Sequence, residues 1–317
     1  MFCISTLLPS LLPYMIFSSI ISKSSLVNKV LRSFFKSVYL ILGICIKYVD
    51  VLFWGNLSGF VVGPKLLAEE NDSIDENLPI TKYILLSSNA GIGFVISFIG
   101  QAVYGNFLFG LSLYFSQILI SLILNSFVFF KKDKIKIYNS EHKKLPFLLS
   151  VSNSISSTAN AFITICANTV VFSTLSSLLV KIIGLPTNSV LSAFIYSLFD
   201  ISQGVKAASL INNKAISLFI VGFSVGFGGI SIFFQIFSIC QSLKINKIKF
   251  ILIKLLQGFI CGILLSIYSF FFTFEDKKAV VLNTYIEFDN KNSVLLLIIL
   301  TLLVFKIIKR KNINKLC

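Results

Sequence analysis

From Phe107 to Phe130 the chain reads FLFGLSLYFSQILISLILNSFVFF, a stretch that contains no charged residue. A helix needs about 20 apolar residues to cross the hydrocarbon core of a bilayer. A strand of a membrane barrel instead alternates apolar and polar residues over about 10 positions, whereas this stretch is apolar on every side. It therefore predicts a transmembrane helix.

Further apolar stretches predict spanning helices in the same way. They are Ile4–Ile21, Ser37–Trp54, Ile155–Ile183, Ala215–Cys240, Phe250–Phe274 and the shorter Ser293–Ile308. Of the 317 residues, 56% are hydrophobic and 13% are charged, against about 25% charged in soluble domains. We therefore predict an all-α polytopic membrane protein. Residues 1–317 are expected to form a single integral membrane domain, with residues 293–308 as its C-terminal transmembrane helix.

The lysine and arginine residues outside these stretches predict the orientation. They form four basic clusters, which are Lys23–Lys36, Lys131–Lys144, Lys244–Lys249 and Lys309–Lys315. Basic loops of membrane proteins remain in the cytoplasm, so these loops and the C-terminal tail are expected there, in a multi-pass protein of a bacterial cell membrane. The net charge of +15 is thus a topology signal, and no nucleic-acid partner is expected.

Two regions are too polar or too interrupted for plain spans: Asn56–Gly105 and Gly184–Asn213. Each predicts a re-entrant hairpin or a discontinuous helix. Such backbone is tolerated at membrane depth only where it is buried in protein or lines a cavity.

The interrupted regions share a pattern of Gly-x-Lys, then Gly-x-Gly, then a glutamine. The members are Gly63–Lys65, Gly91–Gly93 and Gln101 in one region, and Gly204–Lys206, Gly226–Gly228 and Gln235 later in the chain. We interpret them as two pseudo-repeated halves, residues 37–130 and 150–274, each with a re-entrant hairpin and a discontinuous helix. Paired interrupted segments point to a transporter-type site at the midplane. The alternative is the ordinary recurrence of glycine in packed bundles. Whether the repeat is inverted or parallel is left open.

The candidate substrate-binding residues lie within these blocks. They are Ser58, Gly63, Lys65, Asn89 and Gln101 from the first half, and Asp200, Gln203, Gly204, Lys206 and Gln235 from the second. A charge at the bilayer centre costs at least about 2.5 kcal/mol, so the charged members are expected to be paired or to face a cavity. Snorkelling of the two lysines to the headgroups is the alternative. The amides suit a small polar or anionic solute.

One predicted helix carries a polar stripe. Its members are Asn153, Ser157, Asn160, Thr164 and Asn168, at steps of three and four residues that place them on one face. Because polar groups do not face lipid without partners, this face is expected to point inward. It would serve either interhelical hydrogen bonding or the lining of a path.

The sequence shows no set of residues typical of an enzyme. There is a single histidine, His142, and no paired carboxylates lie in a span. No glycine-rich loop is followed by the Lys-Ser/Thr that cradles phosphate. We therefore expect no enzymatic activity, no cofactor and no metal site.

Five blocks of the chain resemble a known family. Asn56–Lys65 is similar to the SGYPVGAK block of the nucleoside-recognition (Gate) domain superfamily, and more closely to sporulation integral membrane proteins of the YlbJ type. The blocks Ser10–Tyr14, Leu85–Gly91, Asp200–Gly204 and Gly226–Gln235 resemble further YlbJ blocks in the same order. In this chain Asp200 replaces the family's glutamate, Phe233 its frequent histidine, and Phe60-Val61 its Tyr-Pro.

The resemblance implies a Gate-type architecture and a role in endospore formation at the cortex stage. We expect a transporter or channel-like protein whose partners are the lipid bilayer, a small solute, and further copies of itself or other sporulation membrane proteins. A membrane scaffold or assembly factor that transports nothing is the alternative. An enzyme acting on a lipid-linked precursor is a third, disfavoured by the lack of an acid–base or metal set.

Overall fold

The computed structural model describes residues 8–22, 30, 31, 33, 45, 48–69, 78–129, 147–186 and 188–271. The chain divides into two units, Met1–Ala279 and Val280–Cys317. The predicted C-terminal helix at 293–308 lies outside the described residues, as does most of the predicted span Ser37–Trp54. Both stay predictions.

Every element of the described part is helical. The α-helices are α1 (Leu8–Ser22), α2 (Val49–Ser58), α3 (Val62–Glu69), α4 (Ile80–Ser87), α5 (Phe107–Val128), α6 (Phe147–Ile182), α7 (Val190–Phe199), α8 (Ile201–Ser209), α9 (Lys214–Phe227), α10 (Ile230–Ile239) and α11 (Lys247–Phe271). Between α4 and α5 lies a π-helix, Gly93–Val103.

Four helical segments of this part are long and apolar enough to cross a membrane: Phe107–Val128, Val151–Ile182, Lys214–Ile239 and Lys247–Phe270. They agree within a few residues with four of the predicted spans. Large apolar side chains such as Leu108, Phe127 and Ile263 are exposed on them, as expected of a surface that lipid covers. For the described part of the chain, the predicted all-α architecture is thereby confirmed, with four helices that are long and apolar enough to span a membrane.

The helices are interrupted at four points, three within the expected regions 56–105 and 184–213 and the fourth inside the predicted span Ala215–Cys240. α2 ends at Ser58, before Gly59 with φ 116°. Ser88–Ile92 separates α4 from the π-helix, and the extended residue Asp200 separates α7 from α8. Gly228 and Gly229, with φ 88° and 93°, separate α9 from α10. Since positive φ favours glycine, glycine fixes two of the four interruptions.

Small residues let the helices on either side of two interruptions pack together. A Cβ added at Gly55 of α2 would lie 2.8 Å from the Cα of Gly63 in α3. A Cβ at Gly204 of α8 would lie 2.6 Å from the Cα of Ser197 in α7. Any larger side chain at either glycine would push its helix pair apart.

α9 and α11 approach each other most closely at glycines spaced four residues apart, which share one helix face. A Cβ at Gly222 would lie 2.9 Å from the Cα of Gly262, and one at Gly226 would lie 2.9 Å from the Cα of Gly258. The four glycines therefore form one backbone-to-backbone contact between antiparallel helices.

The polar stripe of α6 does not point inward, so that prediction was wrong. Asn153, Asn160 and Thr164 are exposed, and Ser157 and Asn168 are only half-buried. The buried face includes Ser154, Thr158, Ala161, Phe162 and Thr169 instead. Its small residues allow close packing on α1, where Ser154 Oγ donates a hydrogen bond to Ser19 O at 3.4 Å.

Candidate functional site: a cavity where four helix interruptions meet

The four interruptions come into mutual contact. A Cβ at Gly91 would lie 2.7 Å from the carbonyl oxygen of Ser58, and a Cβ at Gly229 would lie 3.0 Å from that of Phe199. A Cβ at Gly228 would lie 3.0 Å from the ring of Phe60. The interruption points of α2–α3 and α9–α10 are thereby joined, although more than 150 residues separate them in the sequence.

A cavity lies at this meeting point. It offers about 70 Å³ to the centres of water-sized molecules, and a single buried water needs about 10–15 Å³ on such a measure. It therefore has room for a few waters or one small solute. Residues next to all four interruptions line it, together with side chains from α1 and α6; among them are Ser58, Phe60, Gly91, Thr169, Asp200, Ser202, Ser231 and Gln235.

Asp200 is the charged residue of the cavity wall and is only 2% exposed. Its Oδ1 accepts hydrogen bonds from the backbone N–H groups of Ser202 at 3.0 Å and Gln203 at 3.2 Å. The carboxylate thus caps α8, where the helix dipole favours a negative charge. Lys206, half-buried on the same helix, attracts it electrostatically. These hydrogen bonds and Lys206 therefore offset part of the cost of burying the Asp200 charge.

Neutral polar groups lie on the α10 side of the cavity. Gln235 is 2% exposed, and its Nε2 donates a hydrogen bond to Ser231 Oγ at 3.3 Å. Ser58, at the end of α2, is 3% exposed. Together with Asp200, these side chains give a mainly apolar cavity a few convergent polar groups, the usual composition of a small-molecule site.

Of the ten residues predicted from the sequence, the cavity brings together Ser58, Asp200 and Gln235. Gln203 contributes its backbone N–H to Asp200, as described above. The side chain of Lys65 instead donates to Ser157 Oγ at 3.1 Å and lies 3.9 Å from Glu69, beside a second, smaller cavity.

The other predicted residues lie away from the cavity wall. Gln101 is exposed. Gly63 packs on Ser87, and Gly204 packs on Ser197 and Ser224. Both glycines therefore hold helices together, and neither lines the cavity.

Asn89 belongs to a buried polar network behind the wall. Its Oδ1 accepts hydrogen bonds from Gln257 Nε2 at 2.9 Å and from Lys254 Nζ at 3.3 Å. Its Nδ2 donates to Asn56 Oδ1 at 2.8 Å. Gln257 Nε2 also donates to the carbonyl oxygen of Gln117 at 3.3 Å. The network thus connects α2, α5 and α11 to the interruption between α4 and the π-helix.

Gln117 of α5 compensates the interrupted backbone directly. Its Nε2 donates to Ala90 O at 2.7 Å, and its Oε1 accepts from Ala90 N at 3.2 Å. Ala90 itself lines the cavity. One fully buried amide therefore satisfies both backbone groups of a wall residue.

The sequence interpretation missed Asn56, Gln117, Lys254 and Gln257. A signal for two of them was present, because Lys254 is the charged residue within the otherwise apolar stretch Phe250–Phe274 and Gln257 follows one turn later. An ionisable residue inside a span is a candidate functional residue on that ground alone.

The chain was also compared with known proteins. No family model, no curated protein and no solved structure matches it. The resemblance to YlbJ-type proteins therefore rests on the quoted sequence blocks.

Proposed function

We propose that the protein is a multi-pass membrane transporter or channel-like protein of the Gate type, whose solute binds in the central cavity. The observation that carries this proposal is the convergence of four helix interruptions on one cavity with a buried carboxylate. Discontinuous helices that meet at the midplane form the substrate sites of many secondary transporters. Polar backbone at that depth is otherwise costly.

We further propose that the helices of the two halves form an inverted repeat. In this proposal α2–α3 and α7–α8 are re-entrant hairpins, α4 with the π-helix corresponds to α9–α10, and α5 corresponds to α11. Gln117 and Gln257 support the correspondence, since each lies ten residues after the first residue of its helix. Their hydrogen bond marks the point where the two equivalent helices meet.

Contacts at the helix ends support opposite orientations of the two halves. Lys249, near the start of α11, lies 4.0 Å from the ring centre of Phe129, next to the end of α5. Tyr104, after the π-helix, contacts Ser217 near the start of α9 at 3.1 Å. α5 and α11 therefore run in opposite directions, and the end of α5 lies beside the start of α11 and its basic cluster Lys244–Lys249. In sequence the end of α5 precedes the basic cluster Lys131–Lys144, so we assign this end of the bundle to the cytoplasm.

The cavity favours a small, neutral, polar solute. Among the described lining residues Asp200 is the charged one and no lysine or arginine is present, so the wall itself offers no positive side chain to an anion. Ser58, Ser231 and Gln235 offer hydrogen bonds within an apolar wall. The resemblance to YlbJ-type proteins adds the proposed setting, which is endospore formation at the cortex stage.

A cavity-filling variant tests the proposal. Thr169 of α6 lines the cavity, whereas Thr164 lies on the exposed side of the same helix. Proteoliposomes loaded with the small-molecule extract of sporulating cells are analysed by mass spectrometry for solutes that leave. We expect solute loss with the wild type and with Thr164→Phe, but not with Thr169→Phe. Equal retention by wild-type and protein-free vesicles contradicts transport.

The alternative function is a membrane scaffold, favoured by one observation: the buried polar residues of the network satisfy one another. Counts of heat-resistant spores separate the two functions. A transporter requires an open cavity, so Thr169→Phe at normal protein level should reduce spore formation to the level of a deletion strain. A scaffold should tolerate that variant as well as Thr164→Phe.

A further inference from the structure

Lys254 lies within α11 and is 1% exposed. Its ammonium donates three hydrogen bonds: to the carbonyl oxygen of Ser88, to Asn89 Oδ1 at 3.3 Å and to Gln257 Oε1 at 3.1 Å. An ammonium has three N–H donors, so this set is complete. All three acceptors are neutral oxygens.

The surroundings orient these oxygens toward a positive charge. Ser88 directly follows α4, where helix-end carbonyls carry partial negative charge. The amide nitrogen of Asn89 donates to Asn56 and to Leu86 O, and that of Gln257 donates to Gln117 O. These bonds orient both amide groups with their oxygens toward Lys254, although Asn89 Oδ1 also accepts a hydrogen bond from Gln257 Nε2 at 2.9 Å.

An aromatic ring completes the surroundings of the ammonium. The ring of Phe60 lies with its centre 5.6 Å from Lys254 Nζ, within the range of a cation–π attraction. Phe60, Ala90 and Gly91 line the central cavity. The group that holds the ammonium is therefore continuous with the cavity wall.

We propose that Lys254 is a built-in cation in a preformed site for monovalent cations, made by Ser88 O, Asn89 Oδ1 and Gln257 Oε1. The site holds the interruption between α4 and the π-helix in shape. With the lysine side chain removed, it accepts a small external cation that donates hydrogen bonds. The ligands carry no formal charge, which suits an alkylammonium ion better than a divalent metal ion. This inference goes beyond the proposed function, because a scaffold would contain the same site.

The test is chemical rescue of Lys254→Ala. The substitution removes three carbons and the ammonium, which is the size of propylammonium. The purified full-length variant is unfolded thermally in detergent with propylammonium chloride or, at equal ionic strength, with tetramethylammonium chloride, which has no N–H donor. We expect propylammonium to restore most of the Tm that Lys254→Ala loses, with a Tm that rises as the propylammonium concentration increases. The Tm of the wild type should not change.

Two control variants define the effect. Lys254→Met removes the charge but fills the space, so it should lose Tm without rescue. Lys244→Ala removes an exposed lysine and should match the wild type with either salt. A wild-type Tm for Lys254→Met would overturn the proposal, as would equal effects of the two salts on Lys254→Ala.

Folded yield replaces Tm where Lys254→Ala aggregates in plain buffer. The variant is then solubilised and purified with either salt present throughout. If monodisperse protein is recovered with propylammonium but not with tetramethylammonium, the result supports Lys254 as a built-in cation. Equal aggregation with both salts overturns it. Neither readout involves transport, so failure here is distinct from failure of the proposed function.

Discussion

The backbone N–H and C=O groups of Ala90 lie at a helix interruption and have no partners within a helix. Gln117 makes a hydrogen bond to each of them. The same compensation recurs at Asp200, whose carboxylate caps the first turn of α8. In both places a side chain from the protein interior satisfies backbone groups at a helix interruption or helix start, where intrahelical partners are missing. Single residues of this kind decide whether the cavity wall can exist.

Gln117→Leu is expected to lower the free energy of unfolding by about 2–6 kcal/mol. It leaves the N–H and C=O groups of Ala90 unsatisfied, and each buried unsatisfied group costs about 1–3 kcal/mol. Thermal or denaturant unfolding in detergent measures the change. Gln101→Leu, at an exposed position, is the control and should stay within about 0.5 kcal/mol of the wild type.

Asp200→Ala and Asp200→Asn separate the cap from the charge. Alanine cannot accept the hydrogen bonds of Ser202 N and Gln203 N, so it should destabilise the protein by about 1 kcal/mol. Asparagine caps a helix about as well as aspartate and should retain most of that stability. Equal Tm values for all three proteins would show that the cap contributes nothing.

At the level of helices, the close pair α9–α11 governs the position of the network. A Cβ at Gly226 would lie 2.8 Å from Gln257 O and 2.9 Å from the Cα of Gly258. Because Lys254 and Gln257 belong to α11, any separation of the pair also displaces their hydrogen-bond partners. The packing of two long helices and the geometry behind the cavity wall are therefore coupled.

Gly226→Ala is expected to lower the free energy of unfolding by about 1–3 kcal/mol, the usual cost of overpacking. Unfolding in detergent measures the effect. Ile263→Ala shortens an apolar side chain of α11 that is 51% exposed and leaves the four glycines unchanged, so it should have a smaller effect. The reverse order of the two variants would contradict a backbone-to-backbone contact.

Four of the spans and three of the interruptions could be predicted because each depends on local sequence: apolar length for the spans, glycine and polar residues for the interruptions. The composition of the cavity could be predicted only in part. Asp200 and Gln235 sit beside interruptions, and their position follows from the chain. Lys254 and Asn89 meet across 165 residues, and no local pattern indicates which helices pack. The prediction that the polar stripe of α6 faces inward was wrong for the same reason, because the local pattern does not indicate which face of α6 packs on its neighbours.

For the whole molecule, the proposed inverted arrangement fixes the side of the membrane on which each loop lies. The loop between α10 and α11 should be cytoplasmic, and the loop between α8 and α9 should lie on the opposite side. Ser242 and Asn212 are exposed residues of these loops. They provide one reporter position for each side.

Single cysteines at these positions, in a background without the native cysteines, are expected to label differently. A membrane-impermeant maleimide added to intact cells should modify Asn212→Cys, whereas Ser242→Cys should react only after permeabilisation. Reaction of both or of neither in intact cells would contradict a segment α9–α10 that crosses the membrane.

The hydrogen bonds of Lys254 have a consequence for biosynthesis. Two of its acceptors, Ser88 and Asn89, precede it by 166 and 165 residues. At about 5–20 residues per second, they leave the ribosome roughly 10–30 s earlier. The nascent chain therefore delivers this buried ammonium to the bilayer only after Ser88 and Asn89, two of the groups that will accept its hydrogen bonds. A permuted gene that encodes α11 before α4 would reverse this order and expose the charge to lipid with Gln257 as its sole partner from the set.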